Sequence, residues 1–212
     1  MVWSNWGHLK GFIGDPAVWF HEVERFALGE TPFRDFDWRY PPLALWVHGT
    51  AARFLGNDTN STWIVTAAVA LGICVWYGRV AATIYDTKWL VLVPAVTLVA
   101  SIAYSSVGSI NLTTGMYTPA VPLGVLLMIL AVGSVMNAAT RGGPVWPAGA
   151  LPGAMWMSKQ DFWPAALWIL LTASAFEFRQ RGSGAEPRRR GLATGAFLLV
   201  LVAGSAILLA SA

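Results

Sequence analysis

Residues 62–85 read TWIVTAAVALGICVWYGRVAATIY, and Arg79 is the only charged side chain among them. A helix of that length rises about 1.5 Å per residue and so clears the ~30 Å of a bilayer's hydrocarbon. Further apolar runs follow at 88–104, 118–140, 145–158, 162–178 and 191–212. The run 145–158 is short and contains Pro147 and Pro152. Interrupted half-helices occur at membrane depth only where protein or a water-filled cavity satisfies the freed backbone groups. The pair around Lys159 therefore reads as a helix that rises to one surface and a second that returns. The pattern predicts an all-α fold: a polytopic transmembrane helix bundle over 62–212, preceded over 1–61 by an outer-face loop with short juxtamembrane helices.

Composition agrees. The chain has 212 residues, of which 56% are hydrophobic and 12% charged, against about 25% charged in a soluble protein. Twelve Trp suit the headgroup level, where an amphipathic ring is at home. A net charge of +3, with its arginines in short loops, does not point to nucleic acid. One cysteine, Cys74, rules out an intrachain disulfide.

Upstream lies the polar stretch 14–42, GDPAVWFHEVERFALGETPFRDFDWRYPP, which holds six of the eleven acidic residues. Hydrocarbon gives carboxylates no reason to exist, so a membrane protein that gathers them outside its spans uses them. Asp15-Pro16 is a helix start: Asp accepts orphan amide hydrogens and Pro suits the first helical position. That helix should run to Leu28 and stop at Gly29. Asp15 and Glu22 are seven apart and share a face of it; as a cap, Asp15 needs no further role. After Pro41-Pro42 a helix over 41–56 is too short to cross and reads as interfacial, with His48 an interface histidine. His8, His21 and His48 show no metal-ligand spacing. Nothing in the sequence names a cofactor, and dependence on a divalent metal stays open.

Charge bias sets the orientation. With the 1–61 loop outside, Arg79, Lys88, Arg141 and the run RQRGSGAEPRRR at 179–190 fall on the cytoplasmic side of what is then an inner, plasma-type membrane. The outer face then receives the acidic loop, the loop SSVGSINLTTGMY at 105–117, and Lys159. Carboxylates, polar amides and a lysine at one membrane surface suit chemistry on an anionic lipid-linked substrate. A carboxylate takes the proton of a hydroxyl nucleophile, and a lysine or arginine balances a departing phosphate.

The pattern GD…GETPFRDFDWRYPPLALW resembles the first outer loop of the GT-C-type glycosyltransferases. These are membrane enzymes related to dolichyl-phosphate-mannose protein mannosyltransferases, lipid A aminoarabinose transferase and polyprenol-phosphate-mannose-dependent mannosyltransferases. Later, MYTPAVPLGVLLMILAVG and RGGPVWPAGALPGAMWMSKQDFWPAALWILL are similar to the family's helix, basic turn, glycine-rich half-helix with terminal lysine, and returning helix. The resemblance covers roughly 14–180. It implies transfer of a sugar, with inversion, from a polyprenyl-phosphate donor to a hydroxyl of a glycan, lipid or protein acceptor, on the non-cytoplasmic face and among membrane lipids. It implies Asp15 as the base, Lys159 and Arg34 at the donor phosphate, and Asp35, Tyr40 and Asn111 as orienting residues. Family members often carry a second acid directly after the first; Pro16 stands there here, which leaves Glu22 or Asp35 as alternative bases.

Family members also begin with a transmembrane helix and run to several hundred residues, so the resemblance implies a fragment or shortened gene product. A different class of reading is a non-enzymatic, transporter-like or assembly protein with the same fold. Transporters place polar groups mid-span within internal repeats. This sequence shows no repeat and gathers its polar groups at one face.

Overall fold

The computed structural model describes residues 15–38, 40–56, 59–84, 120–180 and 200. Within the described residues six α-helices appear in order: α1 (Asp15–Ala27), α2 (Leu43–Leu55), α3 (Thr59–Ile84), α4 (Ala120–Arg141), α5 (Pro147–Ser158) and α6 (Trp163–Gln180), with a 3-10 turn Gln160–Phe162 between the last two. Among the described residues there is no strand beyond an isolated bridge between Pro32 and Phe36. The expected spans at 88–104 and 191–212 lie outside the described residues, save residue 200.

Helix α1 ends as its sequence dictates. Gly29 takes φ 99°, a conformation open to glycine at little cost. Its N–H donates to the Phe26 carbonyl at 3.0 Å, and the Glu30 N–H donates to the Arg25 carbonyl at 3.0 Å. That pair of bonds is a Schellman motif. A tight turn follows in which Phe33 N–H donates to Phe36 O and Asp35 N–H to Thr31 O, each at 2.9 Å. The chain then enters α2.

Among the described residues two segments, Asn60–Thr83 and Ala120–Arg141, are long and apolar enough to cross a membrane. Only 28% of each apolar window is buried. Apolar helices that turn most of their surface outward suit hydrocarbon rather than water. They pack on each other through small residues, which let backbones approach. A Cβ on Gly72 would stand 3.2 Å from Leu126, and one on Gly133 would stand 3.1 Å from Val80. Further along, Thr83 meets the Met136 sulfur at 4.0 Å. The contacts advance together along both helices, so α3 and α4 run parallel. The end of α3 and the start of α4 therefore lie at opposite ends of the pair.

Helix α5 returns against α4. Val145, just before it, packs with Ala138, and Ser158 at its end bonds the Ala120 carbonyl at 2.8 Å. With 12 residues it rises about 18 Å. Pro147 opens it, where a missing N–H costs nothing, and Pro152 sits within it. Helix α6 then turns back, parallel to α4: Phe162 lies on Gly124, Ala166 and Ile169 pack with Ala131, and Ala173 with Ala138. This is the rise-and-return pair expected around Lys159.

The loop helices are not a separate layer. Trp19 and Val23 of α1, Phe36 and Trp38 of the turn and Leu45 of α2 share one core with Val69 and Ile73 of α3 and Ala120 and Leu123 of α4.

Candidate functional site

That shared core fixes where the polar groups sit. It covers the start of α4, and the Ser158–Ala120 bond brings the end of α5 to the same place. Helices α1 and α2, the 28–42 segment and Lys159 thus occupy one end of the helix pair. Arg79 and Arg141 lie toward the other.

On α1, Trp19, Val23 and Phe26 recur at helical spacing and face the core, with Trp19 and Val23 each 3% exposed. Glu22 follows Trp19 by one turn and is half-buried. Its Oε2 is buried and has no hydrogen-bond partner among the described residues. Burial raises its carboxyl pKa above the ordinary range, with Arg25 and His21 pulling the other way. A carboxylate held back from water and unpaired is a better proton acceptor than an exposed one. Asp15 opens the same helix, at its first residue; its side chain lies outside what is described.

Arg34 and Asp35 are brought together, but with each other. Arg34 Nη2 meets Asp35 Oδ2 at 2.8 Å, and its Nε meets Oδ1 at 3.0 Å. Asp35 Oδ2 also accepts the Thr31 N–H at 2.7 Å. These bonds hold the Asp35 carboxyl well down, to about 2. Tyr40 stands edge-on to Trp38 at 5.7 Å, and Trp38 is tilted 55° to Trp19 at 5.2 Å. Tyr40 thus extends the aromatic wall between α1 and α2. Asn111, with the whole 105–117 loop, lies outside the described residues.

Lys159 leaves α5 in an extended conformation. Its N–H still donates to the Met155 carbonyl at 3.2 Å, and its own carbonyl accepts from Phe162 N–H at 3.1 Å. The ammonium is 2.9 Å from Asp161 Oδ2, with Lys159 20% and Asp161 73% exposed. The sequence signal for this partner is the spacing alone, Lys-x-Asp at a tight turn.

His48 corrects an expectation. Read as an interface residue, it is 1% exposed and stands edge-on to Trp19 at 5.6 Å. Its Nδ1 has no partner among the described residues. Burial alone lowers its pKa to about 4, so the imidazole is neutral. Among the described residues no group of three or more His, Cys, Asp or Glu is placed to hold a metal.

No family model matches the chain, and no curated protein or solved structure matches it.

Proposed function

We propose that the chain is an integral membrane glycosyltransferase that moves a sugar from a polyprenyl-phosphate donor to an acceptor hydroxyl, with inversion, on the non-cytoplasmic face. The observation that carries this reading is the gathering of α1, α2 and Lys159 at one end of an apolar helix pair, with one carboxylate oxygen of half-buried Glu22 buried and without a hydrogen-bond partner among the described residues. A transporter calls for polar groups along the path between the two ends. In the proposed reaction Asp15, or Glu22 in its place, accepts the proton of the acceptor hydroxyl. The acceptor oxygen bonds the anomeric carbon as the bond from that carbon to the phosphate oxygen breaks. The lipid phosphate leaves with the electron pair, and Lys159 and Arg34 balance its charge. Asp35 holds Arg34 in place through two bonds of its fork, and Tyr40 and Asn111 orient the substrates. The membrane in this reading is a plasma-type inner membrane, and the charge bias of the loops puts the α1–α2 end outside it.

The test is sugar transfer from a polyprenyl-phosphate donor in membranes carrying the protein, with Asp15→Asn, Glu22→Gln and Lys159→Met each against the parent. Loss of a general base typically costs about 10²–10⁴-fold. Transfer should fall by that much in Asp15→Asn or in Glu22→Gln, and in Lys159→Met. Near-parental transfer in both carboxylate variants removes the proposed base, and absence of transfer by the parent removes the enzyme.

A further inference from the structure

At the end away from Lys159, the last turns of α3 and α4 enclose an open cavity of about 580 Å³, a volume within the range of small-ligand sites. Arg79 and Arg141 both line it, and among the described residues no Asp or Glu does. Elsewhere the cations whose side chains are described are committed. Arg25, Arg34 and Lys159 hold carboxylates, and Arg53 holds backbone carbonyls. Arg79 and Arg141 hold neither, among the described residues. Arg79 is positioned by the Trp76 ring, 5.1 Å from its centroid.

The hydroxyls of the cavity narrow the chemistry. Those of Thr83, Ser134 and Thr140 donate to the helix carbonyls of Val80, Leu130 and Met136, at 2.6, 2.8 and 2.9 Å. Their protons are spent, so toward a ligand they accept. The donors left are the two guanidinium forks, the Asn137 amide and the Trp76 indole N–H, a set that matches a phosphate. The rest of the wall is apolar, with Val80, Ala82 and Leu130. Arg141 is the final residue of a helix long enough to cross a membrane, which puts the cavity mouth at headgroup depth.

We propose that this cavity binds an anionic phospholipid, its phosphate between Arg79 and Arg141, its headgroup hydroxyls on the threonine and serine oxygens, and its chain along the apolar wall. Basic pockets between spanning helices bind acidic headgroups in this way. A free phosphate has no use for the apolar wall. The proposal needs the helix pair to sit in a membrane but not sugar transfer, so either can fail alone.

Native mass spectrometry of the detergent-purified protein, with phosphatidylglycerol or phosphatidylcholine of the same chains, tests it. Phosphatidylglycerol should be retained at least about tenfold better. Arg79→Gln with Arg141→Gln should bring it to the phosphatidylcholine level; both side chains are exposed, so the packing is left alone. Ser134→Trp, which fills the cavity and keeps both charges, should do the same. Arg188→Gln with Arg189→Gln, an equal loss of charge in the 179–190 run, should leave retention unchanged. Equal retention of the two lipids, retention surviving both cavity variants, an equal loss in the 188/189 control, or displacement by millimolar inorganic phosphate would each overturn it.

Discussion

Ser158 Oγ donates to the Ala120 carbonyl at 2.8 Å, with both residues almost fully buried. One side chain thus fastens the end of a half-helix to the start of the helix 38 positions earlier. It also decides where Lys159 stands, since the next residue leaves α5 in an extended conformation. A net hydrogen bond is worth about 1 kcal/mol, more when a buried group is left unpaired. Ser158→Ala should therefore lower the unfolding free energy by about 1 kcal/mol, read as a lower melting temperature in detergent. Ser158→Thr, which keeps the hydroxyl, is crowded by its extra methyl and serves poorly as a rescue; Ser158→Cys keeps the size. An unaltered melting temperature in Ser158→Ala would show that packing alone holds the end of α5.

Gly124 lies under the Phe162 ring so closely that a Cβ there would overlap it. The ring, half-buried and packed against the cluster that holds Ala131 and Met155, has to shift to admit it. Gly124→Ala should cost about 1–3 kcal/mol, the usual range for overpacking. The two sites touch, so their effects should not add. With Phe162→Ala in the background, the cost of Gly124→Ala should shrink toward zero. Strict additivity in this cycle would mean that α4 and the turn do not meet there.

Much of this layout is legible in the sequence, because the signals are local. The 15–28 helix ends within one residue of expectation, since Gly29 is the residue that can take φ 99°. The 62–85 run appears as Thr59–Ile84, and 145–158 as Pro147–Ser158. The partners are not legible, because they come from distant chain. Arg53 donates to the Phe26 carbonyl at 2.8 Å and lies over its ring at 5.4 Å. It thereby caps α1 from 27 residues away, where the helix carries its negative end. Nothing in LALWVHGTAARFL reveals that. The tryptophans divide in the same manner. Trp19 and Trp38 are core, 3% and 5% exposed, while Trp163 and Trp168 face outward. Composition gives all of them the same interfacial preference. Of the site, residue types and order are readable, but the bonds Arg34–Asp35 and Lys159–Asp161 emerge only from the turns that bring each pair together.

His48 should make stability fall with acid. Its folded pKa, about 4, is below the ordinary value near 6.5. Between those values the unfolded chain binds a proton that the folded protein refuses, so stability rises with pH. The contribution is whole above about pH 6.5 and is lost as pH falls toward 4, on the order of 3 kcal/mol in all. Burial is the cause, with no charged group contributing. Replacing His48 with Phe, which keeps the edge-on contact to Trp19, should flatten the melting temperature between pH 6.5 and 4. An unchanged slope in that variant would assign the acid sensitivity elsewhere.

Phe33 takes φ 69°, a conformation that costs a bulky residue about 1–2 kcal/mol. Its side chain is 44% exposed, so burial returns little of that. The turn is held instead by Asp35, through Arg34 and the Thr31 N–H. Phe33→Gly should stabilise the turn, and Asp35→Asn should loosen it. Because the Asp35 carboxyl is held down to about 2, its hold is complete above an ordinary carboxylate pKa near 3.9 and fades as pH falls through about 2. Hydrogen exchange at the Asp35 amide, which bonds Thr31 O at 2.9 Å, reads the turn directly. Faster exchange in Phe33→Gly would mean that the left-handed residue is not a source of strain.

Lys159 cannot hold Asp161 and a donor phosphate with the same full strength, and this competition makes the proposed site testable by its kinetics. The pair is 2.9 Å apart with Asp161 73% exposed, a geometry in which an ion pair is worth about 0.2–1 kcal/mol. An incoming lipid phosphate has to recruit the ammonium away from that carboxylate. Asp161→Asn removes the competitor and leaves Lys159 charged and in place, since the residue's backbone bonds to Met155 and Phe162 do not involve Asp161. Donor affinity should therefore rise by the energy of the lost pair, a KM for the polyprenyl-phosphate sugar lower by about 1.5- to 5-fold, with kcat little changed. Lys159→Met should move the other way, and adding Asp161→Asn to it should then do nothing, because the carboxylate acts only through the lysine. A raised KM in Asp161→Asn would make the carboxylate a support for Lys159 rather than its rival. An equal effect of Asp161→Asn with and without Lys159 would mean that the carboxylate acts on the donor independently of the lysine, which ends the competition.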